Sequence, residues 1–276
     1  MAAGDPVIIT VAPTGPLTTR ENHPGLPVTP REIGEAVAEA AAAGAAVAHV
    51  HARGTDERPT ADPKIYAQIV EEIRSRCDIV VQASTGVGLD VSCEDRLEII
   101  ASGNVDVTMA TLNPASMTFG TGTFSNPPWF VDRLAEVMHE RGIRPELEVY
   151  DFGHVPLCLD LVKRGLIPEP LQFSFVMGVR GGVPGDPALL PALASMLPEG
   201  SIWQAIGVGR AQLPLSLTAL AMGANLRVGF EDNVYFTRGQ LAESNAQFVR
   251  RAVELTQTAG REVATPAYVR DRLGVT

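Results

Sequence analysis

The sequence predicts an α/β fold of the (β/α)8 TIM-barrel type, a single domain spanning 1–276. Three observations carry that expectation. Short apolar runs of strand length alternate with helical patterns eight times along the 276-residue chain, which is the count and length of such a barrel. Neither a G-x-G-x-x-G fingerprint nor a Walker sequence occurs, so an open doubly wound nucleotide-binding sheet lacks its usual marks. Polar side chains collect at the C-terminal ends of the apolar runs. A barrel builds its site there, and parallel strands are otherwise near-continuously apolar.

The first strand is expected at Val7–Val11. Thr29 before Pro30 reads as an N-cap with proline in the first turn, opening an Ala-rich helix to about Ala43 that Gly44 stops. Val47–Val50 is the second strand, followed by a helix from Pro63 to about Arg76. Ile79–Ala83 is the third strand and Cys93–Ser102 its helix. Val105–Met109 is the fourth strand, with a helix over Pro128–Arg141. Glu146–Tyr150 precedes a helix at His154–Arg164, and Leu171–Val176 precedes one at Pro187–Met196. Ser201–Ile206 is the seventh strand, then a helix at Leu213–Met222. Leu226–Gly229 is the eighth strand, followed by a long helix at Gly239–Ala259. A C-terminal helical extension begins at about 260, with a short helix at Pro266–Leu273. No linker, low-complexity segment or internal repeat interrupts the series.

Composition narrows the function classes. A net charge of −10 offers no basic footprint for nucleic acid. No apolar run approaches the ~18 residues that span a bilayer. The N-terminus shows neither a positive region nor an apolar core of a secretory signal. Cys77, Cys93 and Cys158 are odd in number and form no CxxC pair. They read as reduced thiols of a cytoplasmic protein.

The most informative stretch is Ala48-His49-Val50-His51-Ala52-Arg53. Residues two apart on a strand share a face, about 7 Å apart by the ~3.3 Å rise. That suits two imidazole ligands on one metal ion, with zinc the first choice. Glu231, after the last apolar run, is the candidate third ligand. Two His and one Glu leave a tetrahedral zinc an open position, the pattern of a catalytic site. The competing reading makes the two histidines surface or supporting residues.

Other polar groups have two readings each. Glu148, on a central strand, either pairs with a buried cation or performs chemistry, and Arg227 is its natural partner. Asp232 is either a solvated loop acid or a base beside the metal. Ser84 and Thr85 follow the third strand and Asn113 follows Thr111 after the fourth; all suit either turns or a binding site. The loop Gly178-Val179-Arg180-Gly181-Gly182 either cradles a phosphate or is a flexible rim.

Taken together these residues resemble the β-keto acid cleavage enzymes nearly end to end. The resemblance runs through Thr14-Gly15, Thr18-Thr19-Arg20, His49-Val50-His51, Gln82-Ala83-Ser84-Thr85-Gly86, Met109-Ala110-Thr111-Leu112-Asn113 and Glu146-Leu147-Glu148-Val149-Tyr150. It continues through Gly178-Val179-Arg180-Gly181-Gly182, Gly229-Phe230-Glu231-Asp232-Asn233 and Ala242-Glu243-Ser244-Asn245. It implies a zinc-bearing barrel, a homotetramer, that converts a β-keto acid and acetyl-CoA into acetoacetate and a new acyl-CoA. By resemblance His49, His51 and Glu231 are metal ligands, and Ser84 and Thr111 hold the acetoacetate end. Arg227 and Asp232 match the catalytic pair, with Glu148 an acid close by. The family's aminohexanoate-cleaving member carries a glutamate just before Thr-Thr-Arg, where this chain has Leu17. A buried ammonium facing Leu17 would lack a counter-charge, so a neutral or apolar tail is expected. The alternatives are a metal-dependent aldolase or β-keto acid hydrolase without acetyl-CoA, and a non-catalytic acyl-CoA-binding barrel.

Overall fold

A computed structural model describes residues 4–275. It is a TIM barrel. Eight strands, Ile9–Val11, Val47–Val50, Val80–Ala83, Met109–Leu112, Arg144–Val149, Gln172–Met177, Ile202–Gly207 and Asn225–Val228, close in chain order. Every pairing is parallel. Thr10 pairs with Val47 on one side and Arg227 on the other, which joins the first strand to the second and the eighth.

Local chemistry explains the helices. Thr29 accepts from the Glu32 backbone N–H while the Glu32 side chain accepts from that of Thr29, a capping box. The helix Pro30–Ala43 buries Ile33, Val37 and Ala40, spaced by one helical turn. Asp62, Ser92 and Ser244 cap later helices by accepting from the backbone N–H of Lys64, Asp95 and Gln247, without the reciprocal bond.

Three expectations need correction. The fourth strand lies at Met109–Leu112, not Val105–Met109. Pairing of Met109 with Gln82 and Arg144 sets its register, and Val105 and Val107 are a buried lead-in without ladder partners. The long helix starts at Asn245 rather than Gly239. Tyr235–Thr237 and Gln240–Leu241 instead form a hairpin turning at Arg238-Gly239. The helix expected at Pro187–Met196 is a 3-10 turn, Pro187–Leu189, and a short helix, Leu190–Ala194, because Pro191 supplies no N–H to a continuous ladder. Further hairpins join Ala52–Arg53 to Pro59–Thr60 and Met117–Phe119 to Gly122–Phe124.

The two barrel ends differ. At the strand starts, Ala264, Val269, Leu273 and Val275 of the C-terminal segment pack on Ile8, Val47, Val80, Met109 and Ile202. The terminal helix, Pro266–Leu273 as expected, thus plugs that end. At the strand ends a cavity of about 420 Å³ opens. Among the described residues no helix is long and apolar enough to cross a membrane. Residues 1–3, part of the stretch read for a secretory signal, lie outside the described residues.

Candidate active site

The cavity floor holds the two histidines and the glutamate. His49 belongs to the second strand and His51 follows it directly. Both are buried. Their Nε2 atoms are 3.2 Å apart. Glu231 Oε1 lies 3.5 Å from His49 Nε2 and 3.3 Å from His51 Nε2. Glycines let the glutamate reach this point. Gly229 has φ 148°, and a Cβ there would sit 2.2 Å from the Ala12 carbonyl oxygen. At Gly15 a Cβ would meet Glu231 Cγ at 2.4 Å.

The donor set fits a divalent cation. Gln82 Oε1 lies 2.7 Å from His49 Nδ1 and can only accept, so the proton is on Nδ1 and the Nε2 lone pair faces the cluster. Lone pairs and a carboxylate oxygen this close need a cation or a shared proton among them, and the set offers a divalent cation three ligand atoms. Glu231 Oε2 and His51 Nδ1 are buried without a hydrogen-bond partner among the described residues. This is also the one group of three such side chains among the described residues whose donor atoms converge within 4.8 Å.

Arg227, on the eighth strand, organises three acids. Its Nε and Nη2 donate to Asp232 Oδ2 and Oδ1 at 3.0 and 2.9 Å. Its Nη1 donates to Glu148 Oε1 at 3.3 Å, and Nη2 also to Glu231 Oε1. The pairing of Glu148 with Arg227 read from the sequence is therefore present. The guanidinium is 3% exposed, so it is fixed and desolvated. Burial pushes the Asp232 carboxyl up to about 6, against the opposing pull of Arg227. Burial raises Glu148 as well. Glu231 behaves oppositely: burial works against its charge, but Arg227 and the two imidazoles hold it well below the usual carboxylate range.

The remaining predicted residues separate into groups. Ser84 lines the cavity, and its Oγ accepts from the Gly86 N–H. Thr85 and Thr111 bond each other: Thr85 Oγ1 donates to the Thr111 carbonyl at 2.7 Å, and Thr85 N–H to Thr111 Oγ1 at 3.1 Å. Both are fully buried behind the cavity wall. Asn113 is buried with neither amide atom bonded among the described residues. A native group so placed calls for a partner. Leu17 is at the rim, 55% exposed. Arg180 also lines the cavity. Gly181 and Gly182 have a packing reason: a Cβ would lie 2.1 Å from the Thr118 carbonyl oxygen or 2.6 Å from that of Tyr150.

Sequence reading missed several contributors. Leu89, Phe119, Phe124, Val176 and Val208 make the cavity wall largely apolar. Tyr150 joins them, its ring 5.9 Å from that of Phe119. Its spacing of two from Glu148 puts both on one strand face, a signal available in the sequence. Arg96 was not legible. It is 1% exposed, stacks on Phe124 and Phe130 at 4.6 Å, and donates to the carbonyls of Thr85 and Ser125.

Comparison with known proteins gives the family of the chain. A family model described as beta-keto acid cleavage enzyme matches residues 6–275. The chain is 37% identical over 271 residues to a 3-keto-5-aminohexanoate cleavage enzyme of Fusobacterium nucleatum, covering 98% of each chain. It is 35% identical over 275 residues to a 3-oxoadipate:acetyl-CoA acetyltransferase of Cupriavidus necator, covering 98% of this chain and 95% of that one. Among solved structures, the apo structure of ObcA superposes with a TM-score of 0.80 at 23% identity. That match covers 91% of this chain but spans only 66% of the other's length, and it speaks for the fold alone. The chain belongs to the beta-keto acid cleavage enzyme family.

Proposed function

We propose that this protein transfers acyl groups between a β-keto acid and acetyl-CoA, releasing acetoacetate and a new acyl-CoA, with zinc held by His49, His51 and Glu231. The observation that carries this is the buried Asp232–Arg227 pair beside the His-His-Glu cluster, on the floor of an apolar cavity. The name of the Cupriavidus necator relative, an acetyl-CoA acetyltransferase, supports the co-substrate. The chain is an enzyme of the acyltransferase type.

When bound, the cation supplies an electrophile for the ketone and enolate oxygens. The protein's own groups do the rest. Asp232 removes the proton between the substrate's two carbonyls. Burial raises its carboxyl above that of an exposed aspartate, which makes it the stronger base. Arg227, in its two-pronged contact, holds that carboxylate in place. The carbon freed of its proton attacks the acetyl thioester and CoA thiolate departs. The thiolate then attacks the substrate's original ketone. A retro-Claisen step breaks the adjoining C–C bond, and acetoacetate regains the proton from Asp232. Glu148 holds the far side of Arg227. Ser84 and the unpartnered Asn113 amide bind the acetoacetate end, and the Thr85–Thr111 bonds brace that wall. Arg180, with Gly181 and Gly182, meets the CoA phosphates at the rim.

The tail of the substrate is neutral or apolar in this reading. Among the described residues, Glu148, Glu231 and Asp232 are the only acids that line the cavity. The whole chain acts as one catalytic barrel with a C-terminal extension from about 260, because site residues come from strands at both ends of the sequence. The free thiols Cys77, Cys93 and Cys158 support a reducing, cytoplasmic setting. The exposed apolar side chains Trp129, Leu157 and Leu217 support self-association, a homotetramer by family resemblance.

The test is a panel of β-keto acids with acetyl-CoA, scored for acetoacetate release before and after chelation and zinc return. Release that needs acetyl-CoA and zinc is expected. Release without acetyl-CoA would favour an aldolase or hydrolase, and binding without turnover an acyl-CoA-binding barrel.

A further inference from the structure

We propose that Glu146, which lines neither the cavity nor the metal cluster, fixes the ligating nitrogen of His49 through the side-chain amide of Gln82. The inference rests, for its metal half, on the zinc reading above.

Glu146 lies on the fifth strand, fully buried inside the barrel. Its Oε2 accepts from Gln82 Nε2 at 2.9 Å and Gln172 Nε2 at 2.8 Å. Its Oε1 accepts from Ser174 Oγ at 2.6 Å and Gln204 Nε2 at 3.1 Å. A carboxylate offers lone pairs only, so each surrounding amide must turn its NH2 inward. Gln82 turned this way presents its oxygen to His49 Nδ1, 2.7 Å off. An amide oxygen accepts and never donates, so His49 carries its proton on Nδ1. Its Nε2 lone pair then faces His51 and Glu231. If Gln82 were reversed, its NH2 would face Nδ1, and the imidazole proton would move to Nε2, blocking the ligand position. Glu146 is thus a positioning residue acting through two hydrogen bonds. His51 has no such support, since its buried Nδ1 lacks a partner among the described residues. The fixed ligand is His49 and the adjustable one is His51.

The test uses full-length apo protein labelled with 15N-histidine. Long-range 15N–1H NMR reads the His49 tautomer with no metal and no substrate, the signal assigned by its loss in His49→Asn. Wild type should show Nδ1–H. In Glu146→Gln the new amide can offer either end to Gln82, so a mixture of tautomers is expected. Zinc affinity by chelator competition should then fall ~10–100-fold, the usual cost of losing such outer support. Gln172→Met removes a different donor from Glu146 and leaves Gln82 oriented. It should keep the wild-type tautomer and affinity, which separates relay loss from general core damage. An Nε2–H tautomer in wild type, or a Glu146→Gln protein with pure Nδ1–H and full affinity, overturns the proposal. If wild type takes up no zinc, the metal reading fails. The tautomer comparison still decides the Glu146–Gln82 coupling.

Discussion

At the scale of single residues, the site is built from groups that cannot be tolerated in a core singly. A lone buried guanidinium or carboxylate would be strongly unfavourable; Arg227 is paired with Asp232, Glu148 and Glu231, and the excess of acids there suits a bound cation. Asp232→Asn should therefore retain metal, because the ligand atoms are untouched. It should lose ~10²–10⁴-fold in kcat, the range for a general base. Arg227→Met should lose a similar factor; single-turnover kinetics with metal analysis checks both, and near-normal rates would assign the proton to another group. Leu17→Glu should raise kcat/KM on an amino-tailed β-keto acid and lower it on an apolar one. A wild-type preference for the amino compound would show that Leu17 does not govern the tail. The placement of His49, His51 and Glu231 was legible from strand periodicity and position alone. The support behind His49 was not, because Gln82, Glu146 and Gln204 meet only when strands distant in sequence become neighbours in a closed barrel.

At the scale of elements, regular helices and most strands followed from caps and apolar periods, and the misses have physical causes. Val105–Thr108 alternates apolar and polar residues as a strand can, but ladder register is set by the neighbouring strands, and these pair with Met109–Leu112. The hairpin Met117–Phe119/Gly122–Phe124 has only short strands and no strong turn sequence, yet it supplies Phe119 and Phe124 to the cavity. Arg96 is its anchor: the guanidinium ties Thr85, beside the site, to Ser125 and Asn126 at the hairpin's end. Arg96→Met should destabilise the protein by roughly 3 kcal/mol or more, since each buried acceptor it strands costs ~1–3 kcal/mol. Denaturant unfolding measures this. Limited proteolysis should find new cleavage within 117–125, and unchanged stability with an intact loop would show that the hairpin holds itself.

At the scale of the whole molecule, the barrel divides its labour between its ends. The candidate site and its cavity lie at the strand ends, while the strand starts are sealed by the C-terminal helix. The barrel itself was legible because eight strand–helix units of ordinary length admit few other closures. The sealing role of the last helix was not, since its apolar residues are few and their partners, from Ile8 to Ile202, are scattered along the chain until the barrel closes. Leu273→Ala should cost ~2–5 kcal/mol in unfolding free energy, as for other buried leucines, while kcat stays at the wild-type value. Calorimetry with steady-state kinetics checks this, and a loss of kcat without loss of stability would contradict the division. Acyl exchange sends each acetyl carbon to a defined position in the product. With acetyl-CoA labelled with 13C in both acetyl carbons and an unlabelled β-keto acid, NMR should find the label in C3 and C4 of acetoacetate, with the substrate's remaining acyl group on CoA. Unlabelled acetoacetate, or label appearing only as acetate, would contradict acyl exchange at this site.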